Sequence, residues 1–299
     1  MAKEPKPRFR KGKGLIAFMT EPEAISMMNG GLPQPGDNLE TSRDKYGRAT
    51  EALRSCNPKP ADSRALEVER LDQDYLKQVA ATPAFTGAFQ GTAWSFKQVE
   101  IDNLTSFQMY VDLDYVTELN HALPNRPESL DIAKFCLPTE FPVQTSVNLD
   151  VAAQSITFVS HAPNMLITGM GVNPSGPQSP LGAGFNIGAN PNYVTVVKYA
   201  NRLLLKNGYH RLYALRQRGI TTSPCVYAET TDFNQTGANR PGFFRKEILM
   251  SPRPPVVADF FDETLSAEIK IRPSLHVIRI KAEQFPVPLV DADRLGAEQ

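Results

Sequence analysis

The stretch from Leu203 to Gly219 constrains this chain most, because an apolar segment ends at Asn207-Gly208 and a helical pattern begins directly after it. The first part predicts a strand, and the second part predicts a short helix that Gly219 ends. Free N–H groups and the positive end of the dipole suit the start of a helix to binding an anion. We therefore predict a phosphate site formed by Lys206, Asn207, Gly208, Tyr209, His210 and Arg211.

The charge of the surrounding sequence supports an anion site. No acidic residue lies between Asp150 and Glu229, whereas the same interval holds the basic residues Lys198, Arg202, Lys206, Arg211, Arg216 and Arg218. A field of one sign raises the local concentration of oppositely charged ligands. A Gly/Pro-rich loop and a buried sheet would also exclude acids, so a purely structural interpretation of this interval stays open.

The segment 207–219, followed by 220–226, resembles the ParB/sulfiredoxin superfamily. In that superfamily a β-hairpin leads into a Gly-x-x-Arg motif, a helix, a glycine and a further strand. Gly208-Tyr209-His210-Arg211 stands at the motif. A second match, over 99–108 and 115–119, resembles the strand, glutamine and helix that often open such domains, so the resemblance spans roughly 95–230.

The resemblance implies an α+β fold, with a small mixed sheet and flanking helices. It implies a nucleotide or a nucleic-acid phosphate as ligand, with DNA favoured, and a nucleoside triphosphate with Mg²⁺ as cofactors. Nucleotide hydrolysis or metal-dependent nuclease activity would follow, with His210 and Arg211 as catalytic residues. Arg211 would neutralise phosphate charge, and His210 would donate a hydrogen bond or transfer a proton. Tyr209 replaces the reactive cysteine of sulfiredoxins, so reduction of sulfinic acids is not expected.

A second hypothesis is a non-catalytic structural or assembly protein that retains the fold and forms homo-oligomers or joins a larger assembly. Tyr209, a long N-terminal arm and a terminal hairpin favour it. For metal binding the sequence offers only weak candidates. Glu229 and Asp232 follow the strand after the motif and can be metal ligands near a bound phosphate or solvated loop acids. Separately, His161 is a second candidate residue for the phosphate pocket.

The pattern along the chain divides it into four segments. We expect a basic, disordered tail over 1–14 and an N-terminal arm with a helix over 15–91, the helical spacing running from Asp62 to Ala81. A ParB/sulfiredoxin-like core over 92–230 would carry a Gly/Pro-rich insertion at 169–192, interpreted as a lid or contact loop or as a plain insertion. A C-terminal extension over 231–299 would contain a β-hairpin formed by 269–272 and 276–281.

Composition limits the partners of the chain. The formal net charge is zero, so nucleic-acid binding must depend on local patches of charge. No window of 18 apolar residues occurs, and the charged start of the sequence lacks the apolar centre of a signal peptide, so no membrane partner is expected. The cysteines Cys56, Cys136 and Cys225 are few, odd in number and widely spaced, which favours a reducing, cytoplasmic location.

Overall fold

The computed structural model describes residues 9–31, 39–58, 73–142, 144–162, 164–173 and 182–286. The chain divides into two compact units. The first unit contains Met1–Phe141 and Pro191–Pro273, and the second contains Pro142–Asn190 and Ser274–Gln299. The segment inserted into the first unit is thus longer than the predicted 169–192, since it begins at Pro142 and includes two further strands.

The described residues form a mixed α+β fold, as predicted, with helices beside several small sheets. The strands in chain order are β1 Arg10–Gly14, β2 Trp94–Glu100, β3 Thr105–Ser106, β4 Tyr110–Asp112, β5 Ser146–Asp150, β6 Ser155–Ser160, β7 Met165–Asn173, β8 Gly182–Ala189, β9 Thr195–Tyr199, β10 Arg202–Asn207, β11 Thr222–Glu229, β12 Ala267–Ile271 and β13 His276–Lys281. The helices are α1 Glu21–Asn29, α2 Leu39–Ser55, α3 Gln73–Ala80, α4 Pro83–Phe89, α5 Leu113–His121, α6 Ser129–Cys136, α7 Tyr209–Gln217 and α8 Lys246–Leu249.

A five-stranded sheet in the order β2-β11-β9-β10-β3 is the centre of the first unit. β9 and β10 form the predicted antiparallel hairpin, and β11 runs parallel to β9 on its other side. Ala200 and Asn201 connect the hairpin with φ angles of 46° and 60°. Positive φ at both central residues is the geometry of a type I′ turn, whose twist matches that of the flanking strands. The sheet therefore delivers the end of β10 directly to α7.

The prediction of a disordered tail over 1–14 is wrong for Arg10–Gly14, which form β1. β1 is the central strand of a second sheet, between β12 and β4. Lys13 is buried there and its Nζ lies 2.6 Å from the Glu263 carboxylate, so the basic strand is neutralised locally. A Cβ at Gly12 would approach Ile271 Cδ1 to 2.5 Å, which shows why glycine occupies this position. Residues 1–8 lie outside the described residues.

The segment predicted as an extended arm contributes to the hydrophobic core instead. Leu15–Met19 is fully buried, because five consecutive apolar residues have no polar face to turn to solvent. α1 follows, and at its start the Glu23 carboxylate accepts a 2.9 Å hydrogen bond from the free Thr20 N–H and a 2.8 Å hydrogen bond from the Thr20 hydroxyl. α2 comes next along the chain. The helix predicted from Asp62 to Ala81 is described only in its last part, which is α3. Residues 59–72, which hold the first part of that prediction, lie outside the described residues.

The second unit contains the sheet β13-β6-β5 and the two-stranded sheet β7-β8. β12 and β13 are strands as predicted, but the hairpin between them is wrong, since β12 pairs with β1 and β13 pairs with β6. Much of the predicted Gly/Pro-rich loop forms β7 and β8. The remainder, 174–181, lies outside the described residues. Within the described part of the chain, no helix is long and apolar enough to span a membrane.

Candidate functional site

Gly208 connects β10 to α7 in a conformation that suits glycine. Its φ angle is +102°, and a Cβ at this position would approach Val194 Cγ2 to 2.7 Å and Val194 Cα to 3.0 Å. Its N–H donates a 2.8 Å hydrogen bond to Asn207 Oδ1. The motif glycine therefore allows a tight turn against Val194, the residue directly before β9, whatever else it does.

Tyr209, the next residue, links β10 to Phe107, the residue that directly follows β3. Its side chain is buried, and its hydroxyl donates to the carbonyl oxygen of Leu205 and accepts a 3.2 Å hydrogen bond from the Phe107 N–H. Burial raises the pKa of the Tyr209 hydroxyl well above its ordinary value. A neutral, doubly hydrogen-bonded phenol at this place supports the turn and presents no charge to a ligand.

His210 packs into the unit beside α5. Its ring meets that of Tyr115 edge to face, with centroids 5.2 Å apart. Its Nε2 is buried, and no described residue makes a hydrogen bond to it. Burial lowers the pKa of His210 to about 4; the positive charges of Arg10 and Arg211 add to this effect, and Asp112 opposes it. The imidazole is therefore neutral at pH 7.

Arg211 is held by a single residue at the beginning of the hairpin segment. Its Nη1 donates to the Asn192 carbonyl oxygen, and its Nη2 donates to Asn192 Oδ1 at 2.8 Å. The guanidinium also lies 6.0 Å from the centre of the Phe135 ring. Both terminal nitrogens thus have protein partners, and burial lowers the pKa of Arg211 from its ordinary value.

Of the six predicted site residues, the structure places Asn207 to Arg211 together and directs Lys206 elsewhere. The Lys206 side chain extends over Gly237, where an added Cβ would lie 3.1 Å from Lys206 Cε. Partial burial lowers the pKa of Lys206, and the positive charge of Arg240 lowers it further. Lys206 therefore belongs to a different group of cations, around a cleft that our sequence analysis missed.

This cleft, which we call the aromatic–basic cleft, has a volume of about 600 Å³. Its walls come from the end of β9, the segment 231–240 and the segment 243–247. Its aromatic residues are Tyr199, Phe233, Phe243 and the buried Phe244, and its basic residues are Arg240, Arg245 and Lys246. The only sequence signal was the run Arg240-Pro-Gly-Phe-Phe-Arg-Lys246, in which cations flank two phenylalanines.

The aromatic rings of the cleft already bind a cation. The Tyr199 and Phe233 rings meet edge to face at 5.5 Å, and the Lys246 ammonium lies 5.1 Å from the centre of Phe233 and 6.0 Å from that of Tyr199. Phe243 packs on Phe107, with ring centres 6.0 Å apart. Within the described residues, no cation lies over the ring of Phe243.

The residues that line the cleft carry an excess of positive charge, three cations against two acids, and Lys206 lies close by. Arg240, Arg245, Lys246 and Lys206 are exposed, and among the described residues none of them forms a salt bridge with an acid. Two acids also line the cleft, Asp232 and Glu247. Asp232 is engaged locally, because its carboxylate accepts a 3.0 Å hydrogen bond from the Asn234 N–H. Cations held close together without acidic partners favour the binding of an anion.

A further guanidinium lies near one wall of the cleft. Arg202 is directly opposite Tyr199 in the β9–β10 ladder, so the two side chains share a face of the sheet. Its Nη2 donates a 2.7 Å hydrogen bond to the Ser251 carbonyl oxygen, and its Nη1 is buried without a partner among the described residues. Burial lowers the pKa of Arg202.

The candidate metal ligands Glu229 and Asp232 have different hydrogen-bond partners. Glu229 accepts a 2.6 Å hydrogen bond from the Tyr227 hydroxyl and contacts Lys198 at 3.4 Å, and these partners lower the pKa of its carboxyl. Asp232 lies at the cleft, and His161 belongs to the second unit. In the ranges that the structure describes, no group of three or more His, Cys, Asp or Glu residues could hold a metal ion. Metal binding by Glu229 and Asp232 stays a prediction.

Comparison with known proteins gives no further assignment. No protein-family model, no curated protein and no solved structure matches the chain.

Proposed function

We propose that this protein binds the phosphate groups of a nucleotide or a nucleic acid, and that it does so at the aromatic–basic cleft. The observation that carries the proposal is the group of cations around the cleft, Lys206, Arg240, Arg245 and Lys246, none of which has an acidic partner among the described residues. Burial and, to a smaller extent, the charge of Arg240 lower the pKa of Lys206, and a bound phosphate would relieve the repulsion between these two cations.

The ParB/sulfiredoxin resemblance enters this proposal as a hypothesis about the first unit. The order of hairpin β9–β10, Gly208, α7 and β11 agrees with the order of elements that the resemblance implies. In our proposal Gly208 to Arg211 build the turn, and phosphate binding moves to the side of β10 where Lys206 lies. Nucleotide hydrolysis or nuclease activity with Mg²⁺, and catalytic roles for His210 and Arg211, stay predictions.

The test is thermal unfolding of the full chain in the presence of ATP, CTP, GTP and short DNA, each with and without Mg²⁺. A ligand that binds only the folded state raises Tm by mass action. We expect a saturable rise in Tm with at least one of these ligands, and its loss in the double variant Arg240→Ala/Arg245→Ala. Both side chains are exposed, so the variant retains the core. An unchanged Tm with every ligand would refute the proposal.

A second candidate function is assembly, and the second unit carries the observation that favours it. Val147 and Leu149 on β5 are 62% and 63% exposed, and Met170 and Val172 on β7 are 76% and 67% exposed. Exposed apolar side chains on neighbouring strand positions are a feature of protein interaction surfaces. Sedimentation velocity of the wild type and of Val147→Ser/Leu149→Ser would test this, with a loss of oligomers in the variant as the expected result.

A further inference from the structure

We infer that the ligand of the aromatic–basic cleft is single-stranded nucleic acid. This inference rests on the proposed function and assigns the class of its ligand. It depends on how cations and rings alternate along the walls of the cleft, and on the accessibility of one ring in particular.

The first argument concerns the alternation of charge and aromatic surface. Arg240 precedes Phe243 by three residues, and Arg245 and Lys246 follow it, so cations stand on both sides of a ring that lines the cleft. A nucleic-acid strand alternates phosphates with bases in the same manner. Proteins that bind single strands combine a positive groove for the backbone with aromatic side chains on which bases stack.

The second argument concerns the rings. Bases in a duplex are stacked on one another, so their faces are not available to protein side chains, whereas the bases of a single strand are free to stack. Lys246 already occupies the Tyr199 and Phe233 rings. Phe243 is half-buried, contacts Phe107 and has no cation over it among the described residues, so we assign the stacking role to Phe243.

The third argument concerns the number of charges. Three cations, Arg240, Arg245 and Lys246, line an open cleft of about 600 Å³. Lys206, at the end of β10, lies close enough to Arg240 for its pKa to be lowered by that charge. One terminal phosphate group would leave several of these cations without a partner. Successive phosphates of a strand would supply a partner for each cation. Each of these contacts would release counterions, so the affinity would depend on salt concentration.

The experiment measures fluorescence anisotropy of labelled dT12 and rU12 with the full chain, over a range of salt concentrations. Unlabelled dT12, a matched 12-base-pair DNA duplex and ATP serve as competitors. For four phosphate contacts with a single strand, we expect the logarithm of affinity to fall with the logarithm of salt concentration with a slope of about −3. The relative affinities for dT12 and rU12 distinguish DNA from RNA.

Two variants separate the contributions of charge and stacking. Arg240→Ala/Arg245→Ala should weaken binding and reduce the slope by about 1.4, because two phosphate contacts are lost. Phe243→Leu keeps an apolar side chain on Phe107 but removes the aromatic face, so affinity should fall roughly tenfold with an unchanged slope. The control Arg126→Ala/Lys134→Ala removes two exposed cations that do not line the cleft, and it should bind as the wild type does.

The outcomes distinguish this inference from the proposed function. If ATP or the duplex competes better than unlabelled dT12, or if the Phe243→Leu variant binds as tightly as the wild type, the single-strand inference is overturned and phosphate binding stands. If no oligonucleotide and no nucleotide binds, both fail. Equal loss in the control and cleft variants would show that binding depends on overall charge and would overturn the assignment to this cleft. Tm of each variant, measured in parallel, identifies any variant that does not fold.

Discussion

Arg211 donates hydrogen bonds from both of its terminal nitrogens to Asn192, one to the main-chain carbonyl and one to the side-chain Oδ1. This pairing ties the first turn of α7 to the segment that enters β9. The residue that the sequence motif marks as a phosphate ligand therefore has a structural partner in the folded chain. Its replacement should be measured first as a change in stability.

We predict that Arg211→Ala lowers the free energy of unfolding by about 2–3 kcal/mol, since it leaves the Asn192 carbonyl and side chain without their donors. Asn192→Ala removes one acceptor only and should cost less, about 1–2 kcal/mol. Urea denaturation measures both. Neither variant should change the affinity for dT12. A stable Arg211→Ala protein that has lost ligand binding would instead return the phosphate site to the start of α7.

Gly208→Ala should be among the most damaging substitutions in the motif. It places a Cβ 2.7 Å from Val194 Cγ2 and forces a positive φ on a residue that has a side chain. We expect a loss of about 3 kcal/mol from strain and overpacking together. Gly219→Ala is the matched control, because φ is +78° there but no atom lies within 4 Å of the added Cβ. It should cost about 1 kcal/mol. Equal losses at both positions would contradict the close packing at Val194.

Tyr209→Phe removes one oxygen and retains the ring. The Leu205 carbonyl would lose its donor and the Phe107 N–H its acceptor, both at buried positions. We predict a loss of about 1–3 kcal/mol in unfolding free energy, measured by urea denaturation. Tyr227→Phe, at a partly exposed hydroxyl that donates to Glu229, serves as the control and should lose less. A Tyr209→Phe protein as stable as the wild type would show that the two hydrogen bonds of the Tyr209 hydroxyl make no net contribution to stability.

The protonation of His210 should make stability depend on pH. Its pKa is about 6.5 in the unfolded chain, and burial lowers it to about 4 in the folded chain. The unfolded state therefore binds the proton first, so the contribution of neutral His210 is fully present above pH 6.5 and is lost as pH falls towards 4. The loss should reach about 3 kcal/mol.

Carboxyl groups elsewhere in the chain also titrate as the pH falls. Comparison with the His210→Gln variant isolates the effect of His210, because those groups are present in both proteins. The difference in unfolding free energy between wild type and variant should change between pH 7 and pH 4.5, with the wild type losing more stability. Urea denaturation at a series of pH values measures it. Parallel curves for the two proteins over this range would show that His210 is protonated in the folded state at an ordinary pKa.

Elements with strong local signals were predictable from the sequence. The hairpin of β9 and β10, its turn at Ala200-Asn201 and the start of α7 after Gly208 were all predicted, because β-branched runs, a tight turn and a glycine act over a few residues. Elements whose partners are distant were not. The pattern of β12 and β13 predicts two strands correctly, but alternation does not specify which strands will be their neighbours.

The aromatic–basic cleft escaped sequence analysis for a related reason. Tyr199 ends β9, Phe233 follows β11, and Arg240 to Lys246 lie in a segment that composition describes only as a loop or linker. Their proximity is created by the packing of three separate segments. Conversely, the motif residues are adjacent in sequence, which made Lys206 and Arg211 look like parts of one site although their side chains have different partners.

The position of β1 has a consequence for the order in which the first unit can be built. Leu15–Met19 emerges early in synthesis, yet β1 gains its β12 neighbour only after residue 271 has been made. Closing so long a loop of chain is entropically costly and slow, and the pairing cannot begin on a shorter nascent chain. Until then, β4 is the one neighbour in its sheet that β1 can pair with, and the sheet that holds the start of the apolar segment Leu15–Met19 stays incomplete along one edge of β1.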